Sequence, residues 1–217
     1  MKALIFDFDG TILDTETPEF TAWTALYQRY GQVLEAQDWG RGIGTWGGFD
    51  PWADLEHKLG QALPREQLQP EHRQEVLRLI GQAELLPGVR DLILQAKQAG
   101  LKLAIASSSD YDWVSGWTQQ HGIFELFDAL STRYEVEQVK PDPALFLLAL
   151  HKLEVQPHEA IVFEDSPNGA KAALAAGIGC VVIPNSVTKH LEFPSGVVRL
   201  ESLAGVTLAD IARRMSA

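Results

Sequence analysis

Two carboxylates, Asp7 and Asp9, stand one residue apart at the end of the apolar run in KALIFDFDGTILDTE, residues 2–16. Leu4, Ile5 and Phe6 follow one another with no polar alternation, which is the pattern of an interior strand. Two negative charges at the tip of a buried strand repel each other, and leaving water makes the repulsion worse. A divalent cation compensates, and so does a lysine. Other polar residues of suitable type follow other apolar runs. Ser107, Ser108 and Ser109 come after LKLAIA, Glu164 and Asp165 close AIVFED, and Lys140 sits in VKPDP. Asp7, Asp9, Glu164 and Asp165 offer hard oxygen ligands, which suit Mg²⁺ better than a soft metal. A serine turn that opens a helix favours an anion such as phosphate, and Lys140 adds positive charge for carboxylates and anion alike. Carboxylate nucleophile, Mg²⁺, lysine and amide donors are the parts that phosphoryl transfer needs.

Those residues meet only if a particular scaffold brings them together. From about residue 87 onward, short apolar runs alternate with helical segments. Strands are expected at 101–106, 127–132, 160–165, 180–184 and 197–200, in addition to the first at 2–6. Helices are expected after Pro87-Gly88 as far as Gly100, after the serine turn as far as Gly122, and at 142–153, 166–177 and 207–215. Ser166 reads as the N-cap of the 166–177 helix, with Pro167 in its first turn. Strand and helix in alternation mean an α/β fold, a doubly wound, Rossmann-like parallel sheet covered on both faces. In such sheets the functional crevice lies at the carboxyl ends of the strands, where the polar residues above all fall. Residues of about 16 to 85 differ, giving helical patterns with no convincing strand between them. The expected division is therefore a core of residues 1–14 and 87–217 with a small all-helical domain, 15–86, inserted after the first strand.

Composition narrows the class. The chain has 217 residues, 46% hydrophobic and 22% charged, enough to bury a real core. A net charge of −11 argues against nucleic acid or anionic lipid as a partner, since both call for a basic face. The lone Cys180, inside GCVVIP, reads as a small hydrophobe packed in a strand. No run reaches membrane-spanning length, and MKALIFDFDG lacks the continuing apolar segment of a signal peptide, so a cytoplasmic protein is expected. No pairing surface shows, and a monomer is expected.

In order, DFDGT, ASSS, KPDP and FEDSPNG resemble the four motifs of the haloacid dehalogenase superfamily. The helical insert resembles the small cap of its β-phosphoglucomutase-like and phosphoglycolate phosphatase-like branch. The resemblance spans essentially the whole chain. It implies that Asp7 attacks phosphorus and becomes an aspartyl phosphate, and that Asp9 protonates the leaving oxygen and then deprotonates water. It implies that Ser107 and Lys140 bind the phosphoryl group, with Ser108 beside them. Mg²⁺ would be held by Asp7, the Asp9 backbone carbonyl and Asp165, with Glu164 either a direct or a water-mediated ligand. In this branch a loop covers the substrate; the matching stretch here is GRGIGTWGGFD, which makes Arg41, Thr45 and Trp46 candidate substrate contacts.

The resemblance leaves several chemistries to weigh. Dehalogenases and phosphonate-cleaving relatives lack the second aspartate of the first motif, so Asp9 argues for phosphate esters. Mutases of this branch place a histidine where this chain has Glu19, and an arginine in the cap loop where Thr45 falls, although Arg41 is near. The expected activity is hydrolysis of a small phosphorylated metabolite, such as a sugar phosphate or phosphoglycolate. A phosphosugar mutase is the alternative, and a non-catalytic metal-binding protein the remote one. The six histidines show no metal-ligand spacing and read as structural or surface residues. Trp23, Trp39 and Trp52 read as the core of the helical insert.

Overall fold

A computed structural model describes residues 1–45 and 47–215. Strands β1 (Ala3–Phe6), β2 (Lys102–Ala106), β3 (Ala129–Ser131), β4 (Ala160–Glu164), β5 (Gly179–Val182) and β6 (Val198–Arg199) form one sheet in the order β3-β2-β1-β4-β5-β6. Every recorded pairing in it is parallel. Parallel neighbours need crossover connections, and the chain supplies α5 (Val89–Gln98), α6 (Tyr111–Gln120), α7 (Ala144–Leu153) and α8 (Pro167–Ala175), while α9 (Leu208–Met215) follows the last strand. Helices α1 (Glu16–Arg29), α2 (Ala36–Trp39), α3 (Pro51–Leu59) and α4 (Arg65–Ile80) occupy the long stretch between β1 and α5. The sheet is thus the expected Rossmann-like α/β arrangement. The four-residue α2 has no expected counterpart; a segment so short carries too little periodicity to read.

β1 shows why its run is uniformly apolar. Successive side chains of a strand point to opposite faces. Leu4 and Phe6 join one buried cluster with Leu92, Ile93, Val114 and Ile211 from α5, α6 and α9. Ala3 and Ile5 join another with Leu145, Phe146, Ala170 and Ala173 from α7 and α8. Both faces are dry, so neither can be polar. Cys180 belongs to the second cluster, where burial raises its thiol well above the usual range.

The helical segment carries an apolar cluster of its own, built on Trp23, Leu26, Tyr27, Leu55 and Leu68 with Trp39 and Trp52 against it. Ala22, Val76 and Ile80 of α1 and α4 are instead part of the sheet cluster, which seats the segment on the core. The two chain crossings into this segment run side by side. Leu13 bridges Leu85, and the Leu86 N–H donates to the Ile12 carbonyl at 2.9 Å. The second crossing ends at Gly88, whose φ of +84° is left-handed and whose absent Cβ would lie 2.0 Å from the Leu203 carbonyl oxygen. No described helix is long and apolar enough to cross a membrane.

His72 of α4 lies with its ring centroid 4.1 Å from that of Trp23, and its buried Nε2 has no hydrogen-bond partner. Burial first, and the neighbouring Arg73 second, push its pKa down to about 4. The unfolded chain then binds a proton near pH 6.5 that the folded protein refuses, so this contribution is whole above pH 6.5 and is lost as pH falls towards 4. Melting curves across that range are expected to show wild type losing more stability than His72→Phe, which keeps the ring and removes the titration.

Candidate active site

The register of the sheet brings the motif residues together. Phe6 is level with Ile105 on one side and Phe163 on the other, so β1, β2 and β4 end side by side. The Asp7 N–H continues the ladder, donating to the Phe163 carbonyl at 2.9 Å. Asp7, Ser107 and the Glu164-Asp165 pair therefore emerge at one sheet edge. Lys140 reaches the same point from the loop before α7. Its Nζ donates to Asp7 Oδ1 at 2.5 Å and to Glu164 Oε1 at 2.7 Å, and lies 4.9 Å from the ring centroid of Phe146. Lys140 is 1% exposed and Glu164 and Asp165 are 0% exposed, so these groups meet without water.

Glu164 is saturated. Besides Lys140, it accepts from the Asp165 N–H at 3.1 Å, the Ser166 N–H at 3.0 Å and the Ser166 hydroxyl at 2.8 Å. Ser166 in turn caps α8 by accepting from the Gly169 N–H, as its sequence position suggests. Gly169 is more than helix-start chemistry: a Cβ there would lie 1.7 Å from Glu164 Oε1. Asp165 is the opposite case. Its Oδ2 accepts from Asn185 Nδ2 at 2.7 Å, while its buried Oδ1 has no partner.

Asp7, Glu164 and Asp165 each offer an oxygen within 4.8 Å of the others. Three carboxylates against one ammonium would leave two negative charges in a dry site if all were ionised. Burial, with Glu164 and Asp9 adding repulsion and Lys140 opposing, pushes Asp7 up to about 8. Burial first, then Glu164, Asp7 and Glu16, raise Asp165 well above the carboxylate range. Burial would lower the Lys140 ammonium, but Asp7 and Glu164 overcome it and hold Lys140 above the ordinary lysine range. An orphaned carboxylate oxygen, three carboxyls crowded around one ammonium and an all-oxygen donor set fit a hard divalent cation such as Mg²⁺.

Asp9 points elsewhere. Its Oδ1 accepts from the Thr15 hydroxyl and the Trp113 indole N–H, both at 2.8 Å. Its Oδ2 accepts from the Ser109 hydroxyl at 2.6 Å and the Ser107 hydroxyl at 3.3 Å. The serine turn does not itself open α6, contrary to the sequence reading. Asp110 is the N-cap and its carboxylate takes the Trp113 N–H, so the serines are free to serve the Asp9 side chain.

Asp7, Asp9, Ser107 and Ser108 line a cavity of about 540 Å³ whose opposite wall comes from the helical segment. Glu16, Glu19, Trp23, Trp39, Thr45, Phe49 and Arg73 contribute there. Burial, opposed by Arg73, pushes Glu19 up to about 7, and burial with surrounding carboxylates raises Glu16 well above its usual range. The glycine-rich loop is docked on the core. Ser108 donates to the Gly44 carbonyl at 3.2 Å, and Asn168 Nδ2 donates to the Ile43 carbonyl at 2.8 Å. Of the candidate loop residues, Thr45 lines the cavity. Arg41 does not: it pairs with Asp38 at 2.6 Å and is turned to solvent. Trp46 lies outside the described residues.

Sequence reasoning missed Thr15, Trp113 and Asn185 as members of the site. Asn185 follows β5, so extending the strand-end argument by one strand would have found it. Trp113 gives no such signal, because an indole two residues into a helix is usually packing.

A family model for haloacid dehalogenase-like hydrolases matches residues 1–177. The chain belongs to this family. It is 46% identical over 209 residues to YhcW of Bacillus subtilis (strain 168), covering 96% of this chain and 95% of that one. It is 33% identical over 185 residues to a phosphorylated carbohydrates phosphatase of Thermotoga maritima, covering 82% of each. Among solved structures, CbbY from Rhodobacter sphaeroides in complex with phosphate superposes with a TM-score of 0.77 at 30% identity, covering 98% of this chain and 99% of that one.

Two glycines with contrasting surroundings test the packing of Glu164. Gly169→Ala is expected to lower the melting temperature, by about 2–4 kcal/mol in stability, because the methyl displaces Glu164 from Lys140. Gly116→Ala in α6, where a Cβ meets open space, is expected to raise it by about 0.5–1 kcal/mol.

Proposed function

We propose that this hydrolase is a Mg²⁺-dependent phosphatase that removes phosphate from a small phosphorylated metabolite, of sugar phosphate or phosphoglycolate type. The observation that supports it most is the division of labour at the tip of β1. Asp7 is clamped by Lys140 at the floor of the cavity, while Asp9, two residues on, is held apart by four donors. Two carboxylates in such different surroundings suit two different roles.

Asp7 is the nucleophile. Its carboxylate oxygen forms a bond to phosphorus as the ester oxygen leaves, giving an aspartyl phosphate, and Asp9 supplies the proton to the leaving oxygen. Asp9 then takes a proton from the water that attacks phosphorus and frees Asp7. Lys140 and Ser107 stabilise charge on the transferring group, and Ser108 stands beside them on the cavity wall. Mg²⁺, held by Asp7, Asp165 and the Asp9 backbone carbonyl, would neutralise the phosphoryl oxygens. Glu164, already engaged by four donors, is read as the anchor for Lys140 in place of a direct ligand.

Residues 15–86 are read as a cap that moves on the paired crossings near Leu13 and Leu85. The aromatic wall of Trp23, Trp39 and Phe49 suits the apolar faces of a sugar, and Glu16 and Glu19 suit its hydroxyls. The same two carboxyls weigh against a bisphosphate. A β-phosphoglucomutase-type reaction is the second reading, favoured by Arg73 and Arg133 on the cavity wall as cations for a second phosphate. The protein is read as a cytoplasmic monomer without nucleic acid or membrane partners, in keeping with its charge of −11.

Two measurements check this. Asp7→Asn is expected to reduce phosphate release from p-nitrophenyl phosphate with Mg²⁺ by about a thousandfold or more, and normal turnover by that variant would falsify the nucleophile assignment. With β-glucose 1-phosphate the expected product is free phosphate. Glucose 6-phosphate as the main product would replace phosphatase by mutase.

A further inference from the structure

The proton that Asp9 must deliver has to sit on a defined oxygen, and one side chain outside the four motifs decides which. Trp113, in the first turn of α6, donates its indole N–H to Asp9 Oδ1 at 2.8 Å. An indole nitrogen donates and never accepts, unlike a hydroxyl, which turns to do either. Thr15 also donates to Oδ1 at 2.8 Å; its hydroxyl can turn, but the indole hydrogen stays aimed at this oxygen and makes it a poor place for the proton. Oδ2 faces only the hydroxyls of Ser109 and Ser107, at 2.6 and 3.3 Å, and both can reverse to accept. The indole itself is held in plane. Trp117 packs edge-on against it at 5.7 Å, and the guanidinium carbon of Arg73, from α4 of the helical segment, lies 4.5 Å from its ring centroid.

We propose that Trp113 is a positioning residue for Asp9: its N–H locks Oδ1 as an acceptor, so that Oδ2 carries the proton given to the leaving oxygen. The inference rests on Asp9 being the acid of the proposed reaction. In that step the bond from Asp7 to phosphorus forms, the bond from phosphorus to the ester oxygen breaks, and the proton on Asp9 Oδ2 passes to that oxygen. Arg73 seats on the ring from the helical side, so the bracing of Trp113 is complete only when that segment is docked on the core.

The test compares two substrates of nearly the same shape that need the proton to different degrees. Phenyl phosphate releases a basic phenoxide, whereas p-nitrophenyl phosphate releases a stable one. The readout is the ratio of kcat/KM for the two on one protein preparation with Mg²⁺, in which any misfolded fraction cancels. Trp113→Phe keeps the ring and removes the donor. It is expected to shift the ratio against phenyl phosphate by about tenfold, in the direction of a larger shift in Asp9→Asn. A ratio unmoved in Trp113→Phe but moved in Asp9→Asn overturns the role of the indole alone. A ratio unmoved in Asp9→Asn overturns the acid assignment, and this inference with it.

Discussion

Everything at the carboxyl edge of the sheet depends on one buried ammonium. Lys140 lies between Asp7 and Glu164 with no access to water. Burying such a group is costly unless it is paired, and removing one partner of a buried pair typically costs about 3–5 kcal/mol. Here the pairing also sets geometry. Glu164 is pinned by three donors from the start of α8 and holds Lys140, and Lys140 holds Asp7. The chain of contacts runs from a helix cap to the proposed nucleophile, and Gly169 leaves room for it. The lysine removes only part of the repulsion. Asp7 and Asp165 are both pushed up, and Asp165 keeps one buried oxygen without a partner. Burial and mutual repulsion thus oppose ionising this cluster, and the proposed divalent cation would offset both.

The sheet and the motif residues were legible because they follow from strong rules. Continuous apolar runs mark strands dry on both faces, as Ala3–Phe6 proved to be, and polar residues at the ends of such runs converge when the strands are parallel and in register. Ser166 capping α8 was equally local. The failures have a common cause. Ser107–Ser109 looked like a helix start, yet Asp110 is the cap, because four polar residues in a row leave the boundary undetermined. Arg41 stood near the right place in the loop, but an aspartate three residues before it captures it. Thr15, Trp113 and Asn185 join the site through tertiary contacts over sequence separations of 6, 104 and 20 residues, which no local pattern encodes.

The helical segment shows how specificity can vary on a fixed scaffold. It has an aromatic core of its own, so its surface facing the cavity is free to change without unfolding the sheet. Its contacts with the chemical end are few and polar: Gly44 with Ser108, Ile43 with Asn168, and Arg73 on Trp113. Such contacts are individually weak, which suits the cap movement proposed for this segment. Asp9 lies where these two parts meet. It is held by Thr15 at the entry to the segment and by Trp113 and the serine turn of the core.

The central claim is that the carboxylate cluster binds a divalent cation, which offsets the repulsion among Asp7, Glu164 and Asp165. Melting temperatures with and without Mg²⁺, for wild type and Asp165→Asn, address it most directly. Wild type is expected to gain about 3 kcal/mol of stability at Mg²⁺ a hundredfold above its dissociation constant. Asp165→Asn is expected to gain nothing from Mg²⁺ and, in its absence, to melt no lower than wild type, because the substitution removes a buried carboxyl whose ionisation burial and its acidic neighbours oppose. An equal gain from Mg²⁺ in both proteins, or none in wild type, contradicts the account.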